Sequence, residues 1–353
     1  MKILSLVGAR PQFIKEAAVY EKLKESGIKE ILVHSGQHYD FNMSDVFFKV
    51  LNIKEPDYNL EVGSSTHGKM TGQIMIKFEE VVLKEKPDII LVYGDTNTTM
   101  AGALVGAKLK IPVAHIEAGI RQEPKDMPEE INRVVTDHVS KYLFTPSKLA
   151  SENLKKEGIE NGVYFTGDVM YDVFLKMRPL FNLDAYKKYG LKPENYIVVT
   201  IHRDFNTDDP EKLKAILQNL EEIAKEIEVI FPVHPRTRKR IKEYGFGEIV
   251  NKVELIEPVD YLEMMGLVMA SKAVITDSGG LQKEAYFCGK RAVVVMPDTG
   301  WRELVKAGWN ILSTPENIKE NLEKILEKSS REISSLYGDG NAAEKVVSIL
   351  KQK

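Results

Sequence analysis

The chain has 353 residues, one cysteine, 49 Lys+Arg against 52 Asp+Glu, and a formal net charge of −3. At about 150 residues per domain the length predicts two domains, and 29% charged with 43% apolar residues describes a folded globular chain rather than a disordered one. The near-neutral balance argues against a nucleic-acid binder, which carries a basic surplus, and a lone Cys288 can make neither an internal disulfide nor a cysteine zinc cluster.

The apolar start at residues 3–7 is too short for a signal-peptide core, and Arg10-Pro11 follow at once. No apolar run approaches the roughly 20 residues of a membrane span, so the expected location is cytoplasmic, with no membrane partner. Residues 3–7, 31–34, 89–93 and 113–116 read as short buried strands, separated by helical patterns at 14–23 and 100–109. This is the βαβ rhythm of a parallel sheet covered on both faces. A charged stretch at 181–195 follows, and then a second series of strands at 196–201, 229–233, 253–256, 273–276 and 292–295. Asp209-Pro210 signals a helix start before the stripe Leu213, Ile216, Leu217, Leu220 and Ile223. Thr314-Pro315 does the same before Ile318, Leu322 and Ile325. The predicted class is α/β with two parallel-sheet domains, a boundary within roughly 165–190, and a last helix near 342–350 whose apolar stripe could pack on either domain. Ligands of such sheets bind at the carboxyl ends of the strands.

Polar residues cluster at those ends. After the first strand, Gly8-Ala9-Arg10-Pro11-Gln12-Phe13-Ile14-Lys15 places two cations, Arg10 and Lys15, at a helix N-terminus, which reads as an anion site or as a solvated helix start. Asp95 and Glu117 each follow a strand, and Glu129 and Glu130 open a helix after Pro128, where acids also offset the helix dipole. An acid ending an apolar run is costly to bury unless it is paired or used, so Asp95 is the most informative of these. In the second half His202 and His234 end strands, where a lone histidine is more often structural. Ser278-Gly279-Gly280 opens a helix whose backbone N–H groups could approach a phosphate, and Glu284 lies one turn on, in reach of a ribose diol; a plain strand-to-helix turn reads equally well. The segment Gly63 to Lys69 fits a P-loop, but Met70 stands where Ser or Thr should hold Mg²⁺. His34 and His38 are spaced i, i+4 across Gly36, which argues a strand end rather than a metal-binding helix. With no HExxH, no His/Cys cluster and no GxGxxG, neither a metal nor a cofactor is expected.

Taken in order, GARPQFIK at 8–15, GDTNTT at 94–99, HIEAG at 115–119, MPEEINR at 127–133, HR at 202–203, TDSGGLQKE at 276–284 and YGDG at 337–340 resemble the non-hydrolysing UDP-N-acetylglucosamine 2-epimerase family along essentially the whole chain. The resemblance implies two Rossmann-like domains facing a cleft (GT-B-like), 1–170 and 171–339, a final helix at about 340–353 that crosses back to the first domain, and a homodimer. It implies a cofactor-independent epimerase that interconverts UDP-GlcNAc and UDP-ManNAc by anti elimination of UDP to 2-acetamidoglucal and re-addition. By the same resemblance Asp95, Glu117 and Glu129 match catalytic acids and His202 an active-site histidine. Arg10, Lys15, Ser278, Gly279, Gly280 and Glu284 match substrate-binding positions. Where the family usually has TERPE, this chain has Thr299-Gly300-Trp301-Arg302-Glu303, which looks more like the branch acting on UDP-2,3-diacetamido-2,3-dideoxyglucuronate. Gln37-His38 keeps part of the family's allosteric pattern, and Tyr39-Asp40 departs from it. Other readings are a GT-B glycosyltransferase, which needs no acid trio on the first domain, and a UDP-sugar sensor that turns nothing over.

Overall fold

Strand β1, Lys2–Val7, is buried along almost its whole length and shows why the first sheet needs cover on both faces. Ile3 and Val7 join one apolar cluster, with Phe13, Val19 and Leu23 of helix α1 (Arg10–Glu25). Leu4 and Leu6 join the opposite one. The chain continues through β2 (Lys29–His34), β3 (Tyr58–Asn59), α2 (His67–Glu85), β4 (Ile89–Tyr93), α3 (Asn97–Lys108), β5 (Val113–Ile116), α4 (Pro128–Val139), β6 (Tyr142–Thr145), α5 (Lys148–Lys156), β7 (Val163–Phe165) and α6 (Val169–Met177). The seven strands pair in parallel in the order β3-β2-β1-β4-β5-β6-β7, so the order reverses between β1 and β4. This computed structural model describes residues 1–36, 50–51, 53–327 and 335–352.

Contacts divide the chain into two compact units, Met1–Met177 with Ser335–Lys353, and Arg178–Ser334. The predicted cut at 170 falls inside the continuous helix α6, and the division comes at its end. The C-terminal helix Ala342–Lys351 packs Ala342, Ala343, Val346, Val347 and Leu350 into the cluster around α1. The Asp172 carboxylate of α6 accepts the backbone N–H groups of Ala342 (3.0 Å) and Ala343 (2.7 Å), capping that helix from outside its own sequence. Asp168 N donates to Tyr337 O at 3.0 Å beside it.

The second unit holds β8 (Tyr196–Thr200), α7 (Asp204–Thr207), α8 (Pro210–Ile223), β9 (Glu228–Pro232), α9 (Pro235–Glu243), β10 (Glu254–Ile256), α10 (Tyr261–Ala270), β11 (Ala273–Thr276), α11 (Gly279–Phe287), β12 (Ala292–Val294), α12 (Arg302–Lys306), β13 (Asn310–Leu312) and α13 (Ile318–Leu326). Its parallel order, β10-β9-β8-β11-β12-β13, reverses between β8 and β11. Asp209 caps α8 by accepting from Glu211 N and Lys212 N. The α8 stripe and Ile318, Leu322 and Ile325 of α13 are buried in one core, as the spacing predicts. Among the described residues no helix is long and apolar enough to cross a membrane.

Candidate active site

In the first unit the reversal of strand order places the loop after β1 beside the loop after β4, where α/β sheets bind ligands. Gln12 joins the two. Its Oε1 accepts from Gly8 N (2.8 Å) and Ala9 N (2.9 Å), and its Nε2 donates to Tyr93 O (2.6 Å) and Thr99 Oγ1 (2.9 Å). The amide thus satisfies the backbone donors of the two residues that lead into α1, which lack helical partners. Thr96 caps α3 by accepting from Thr99 N. Arg10 is exposed at the start of α1, whereas Lys15 is buried and ion-paired to Glu117 Oε2.

Asp95 and Glu117 follow the adjacent strands β4 and β5, whose ends are tied by Gly94 N donating to Ile116 O at 3.0 Å. Asp95 Oδ2 meets the guanidinium of Arg133, and its backbone oxygen accepts from Asn132 Nδ2 at 2.9 Å. Arg133 Nη1 also reaches Glu130 Oε2 at 3.0 Å. Burial disfavours the Arg133 cation, but Asp95 and Glu130 outweigh it and hold its pKa above the ordinary value. Helix α4 therefore offers a buried ion pair at Glu130–Arg133, while Glu129 points to solvent.

Glu117 has φ +76°, a left-handed conformation that is strained for a residue with a side chain. Two residues before it, fully buried His115 places Nδ1 2.7 Å from Asp137 Oδ1 and Nε2 2.7 Å from Gly94 O. The ring is thus held from both sides, by the Asp137 carboxylate and by the Gly94 carbonyl. Burial raises the pKa of Asp137, yet His115 and Arg121 overcome that and keep it below the usual carboxylate range. Behind the loops, Glu16 of α1 and Glu30 of β2 are buried side by side, with Ser5 donating to Glu30. Burial first, and then their mutual repulsion, drive Glu16 well above its ordinary value; burial raises Glu30 as well.

In the second unit, buried Asp277 organises the loop after β8. It accepts from His202 N (3.0 Å), Arg203 N (2.9 Å) and Asn206 Nδ2 (3.1 Å). Burial lowers the His202 imidazole pKa, and Asp277, 3.3 Å from Nδ1, only partly offsets this. The balance favours the neutral ring. Ser278 caps α11, and a Cβ added at Gly279 would meet nothing closer than Trp301 Nε1 at 3.8 Å and Arg203 Nη2 at 3.9 Å. That opening lies over backbone N–H groups at a helix start, the arrangement that accepts a phosphate. Trp301 N donates to Thr299 Oγ1 (3.2 Å), and Lys283 Nζ stands 3.7 Å from the centre of the Trp301 ring. Arg302 forks onto Asp298 at 3.1 and 2.6 Å. Glu284 accepts a hydrogen bond from Tyr261, whose phenol is pushed far above its ordinary value by burial and then by Glu284.

The structure brings Lys15 to Glu117 within one unit, and His202, Gly279 and Trp301 to neighbouring loops of the other. It leaves Glu129 and Arg10 on exposed first turns. Sequence reasoning passed over Gln12, Asn132, Arg133, Asp137 and Asp277. Of these, Asp277, directly after the apolar strand 273–276, carries a signal of the kind that marks Asp95. Residues 37–40, which carry the allosteric pattern, and His38 with them, lie outside the described residues. The discounted P-loop segment runs through a loop at 63–66 into α2 at His67, and Met70 is buried in that helix. Burial pushes the Cys288 thiol up, as befits a packed side chain.

A family model described as UDP-N-acetylglucosamine 2-epimerase matches residues 21–351. A UDP-N-acetylglucosamine 2-epimerase homolog of Methanococcus maripaludis is 48% identical over 359 residues, covering 99% of both chains. The UDP-2,3-diacetamido-2,3-dideoxy-D-glucuronate 2-epimerase of Pseudomonas aeruginosa is 46% identical over 358 residues, again covering 99% of both. The crystal structure of the Methanocaldococcus jannaschii UDP-GlcNAc 2-epimerase in complex with UDP-GlcNAc and UDP superposes with a TM-score of 0.87 at 40% identity, covering 100% of both chains. With two doubly wound parallel sheets, carboxylates at the strand ends of the first and an open glycine turn at a helix start of the second, the chain belongs to the UDP-N-acetylglucosamine 2-epimerase family.

Proposed function

We propose that this chain is a UDP-sugar 2-epimerase that interconverts UDP-GlcNAc and UDP-ManNAc without a redox cofactor. The observation that carries this reading is the pair of carboxylates, Asp95 and Glu117, on adjacent strand ends and each matched to a cation, Arg133 and Lys15. The C2 proton of a GlcNAc unit has no neighbouring carbonyl to acidify it. Breaking the anomeric C1–O bond expels UDP while a carboxylate takes the C2 proton, and a C1=C2 double bond forms. Re-addition of UDP at C1 with protonation at C2 from the other face restores the bond count, with no net redox change. In this reading Asp95, Glu117 and Glu129 serve the proton transfers, with Arg10 and Lys15 balancing charge on the departing diphosphate. In the second unit the Ser278-Gly279-Gly280 turn holds phosphate, Glu284 the ribose and neutral His202 a polar group of the substrate.

A second substrate is favoured by one observation. Trp301 stacks on Lys283 over the glycine turn, and Arg302 is engaged by Asp298, so the TERPE arginine has no counterpart in the same place. The 46% identical Pseudomonas relative is named for the diacetamido-glucuronate. Proton NMR in D₂O with each UDP-sugar and no added cofactor separates the two. A UDP-ManNAc anomeric signal carrying deuterium at C2 supports the first reading, and turnover of the diacetamido-glucuronate alone supports the second. Inertness on both, with UDP bound, leaves the sensor reading.

We also propose a homodimer. Ile76 and Leu83, two turns apart on α2 with the exposed acids Glu79 and Glu80 between them, are 64% and 58% exposed, two apolar side chains that a second copy would cover. Light scattering coupled to size exclusion tests this, with a monomer mass as the opposing result.

A further inference from the structure

Glu117 is held in a left-handed backbone conformation that an L-residue adopts only when its surroundings impose it. The imposing group is identifiable. Asp137, fully buried on α4, presents one carboxylate oxygen to each side of Glu117. Oδ1 meets His115 Nδ1, two residues before Glu117, at 2.7 Å. Oδ2 accepts Gly119 N, two residues after it, at 3.1 Å. Arg121 Nη1 reaches the same Oδ2 at 2.7 Å and is itself forked onto Glu157 at 2.7 and 2.6 Å, which fixes the carboxylate. On the far side, His115 Nε2 lies 2.7 Å from Gly94 O, one residue before Asp95. Backbone bonds take part as well, Glu117 N and Ala118 N both donating to Phe144 O at 3.1 Å, but Asp137 is the buried side chain that meets both flanks of Glu117 and, through His115, the residue preceding Asp95, while contacting neither acid.

We propose that Asp137 is the positioning residue for the two candidate acids: its carboxylate spans the Glu117 turn, holds that residue in its left-handed conformation against Lys15, and through His115 sets the Gly94–Asp95 loop. The bracket is direct for Glu117 and runs through one imidazole for Asp95. Charge belongs to the device, because a carboxylate accepts from the imidazole, a backbone N–H and a guanidinium at once, whereas an amide offers one acceptor oxygen and turns two hydrogens toward donors.

The catalytic consequence rests on the reading of Glu117 and Asp95 as acid–base groups; the backbone clamp does not, and the test separates the two. Glycine takes a positive φ without strain, so Glu117→Gly removes the need for a clamp. The urea midpoint should fall on Asp137→Asn in the parent chain and fall distinctly less when residue 117 is already glycine. Equal falls in both backgrounds overturn the clamp. For activity, Asp137→Asn should lower kcat by about tenfold or more while KM stays within about twofold, as expected when reacting groups are misplaced but substrate contacts persist. A folded variant with unchanged kcat, or one that loses KM and kcat alike, overturns the positioning role. If Asp137→Asn does not fold, His115→Gln releases one arm of the same bracket and is read in the same two ways. If the parent chain turns over no UDP-sugar, the functional reading fails, and the midpoint comparison still decides the clamp.

Discussion

A Cβ atom at position 8 would lie 2.3 Å from Thr98 Oγ1 and 2.5 Å from Ser35 Oγ, two hydroxyls that are themselves 3.0 Å apart. The first turn after β1 thus passes directly over the start of α3, and only glycine fits. Gly8→Ala should destabilise the first unit by about 1–3 kcal/mol, the usual range for overpacking. Adding Thr98→Ala should recover part of the loss. Thermal melts of the single and double variants test this, and an unaltered single-variant melt would show that the loop yields freely.

Asp95→Asn keeps the shape of the side chain and its reach to Arg133 but removes the proton acceptor. Epimerisation followed by NMR in D₂O should fall by about 10²- to 10⁴-fold, the range for a lost general acid or base, with the fold retained. Deuterium still entering C2 at the parent rate would move the proton transfer to another group.

Glu16 and Glu30 give a pH-dependent signature. Burial raises the Glu16 pKa above its ordinary 4.5, with Glu30 adding repulsion, so the folded state holds the proton more tightly than the unfolded chain. Stability from this site is fully present below pH 4.5 and is lost as pH rises through the folded-state value. Glu16→Gln should therefore match the parent in acid and exceed it in Tm at neutral and alkaline pH. A difference independent of pH would mean that the carboxyl is not taking up a proton on folding.

Tyr261→Phe keeps the ring edge-on to Phe181, at 5.8 Å between centroids, and deletes the donor to Glu284. If Glu284 holds the ribose, UDP affinity by calorimetry should weaken several-fold, about 1 kcal/mol for one hydrogen bond. An unchanged Kd would separate Glu284 from the nucleotide.

The long central strands were legible because each is a β-branched run bounded by turn residues. Strand β6, Tyr142–Thr145, is an interior run of only four residues, and β3, β7 and β13, two or three residues long, stand at sheet edges. Such edges exist because a neighbouring strand offers hydrogen bonds, which no local pattern records. The same division runs through the site. Asp95 stood out as an acid at the end of an apolar run and in need of a partner, and Arg133 is that partner, 38 residues away. Asp137 gave no such signal, because an acid near the end of a helix reads as surface until His115 and Gly119 are seen against it. Trp301 was visible as a departure from a motif, while its stacking on Lys283 required the fold.

The Asp172 cap has a bearing on synthesis. The first unit closes only when Ala342 and Ala343 arrive to fill that carboxylate and the C-terminal helix covers α1. The second unit lies wholly between the two pieces of the first. On the ribosome, the later-made unit can therefore finish folding first, while the earlier one waits with an apolar face uncovered. A chain stopped shortly before its end would lose the unit that begins it.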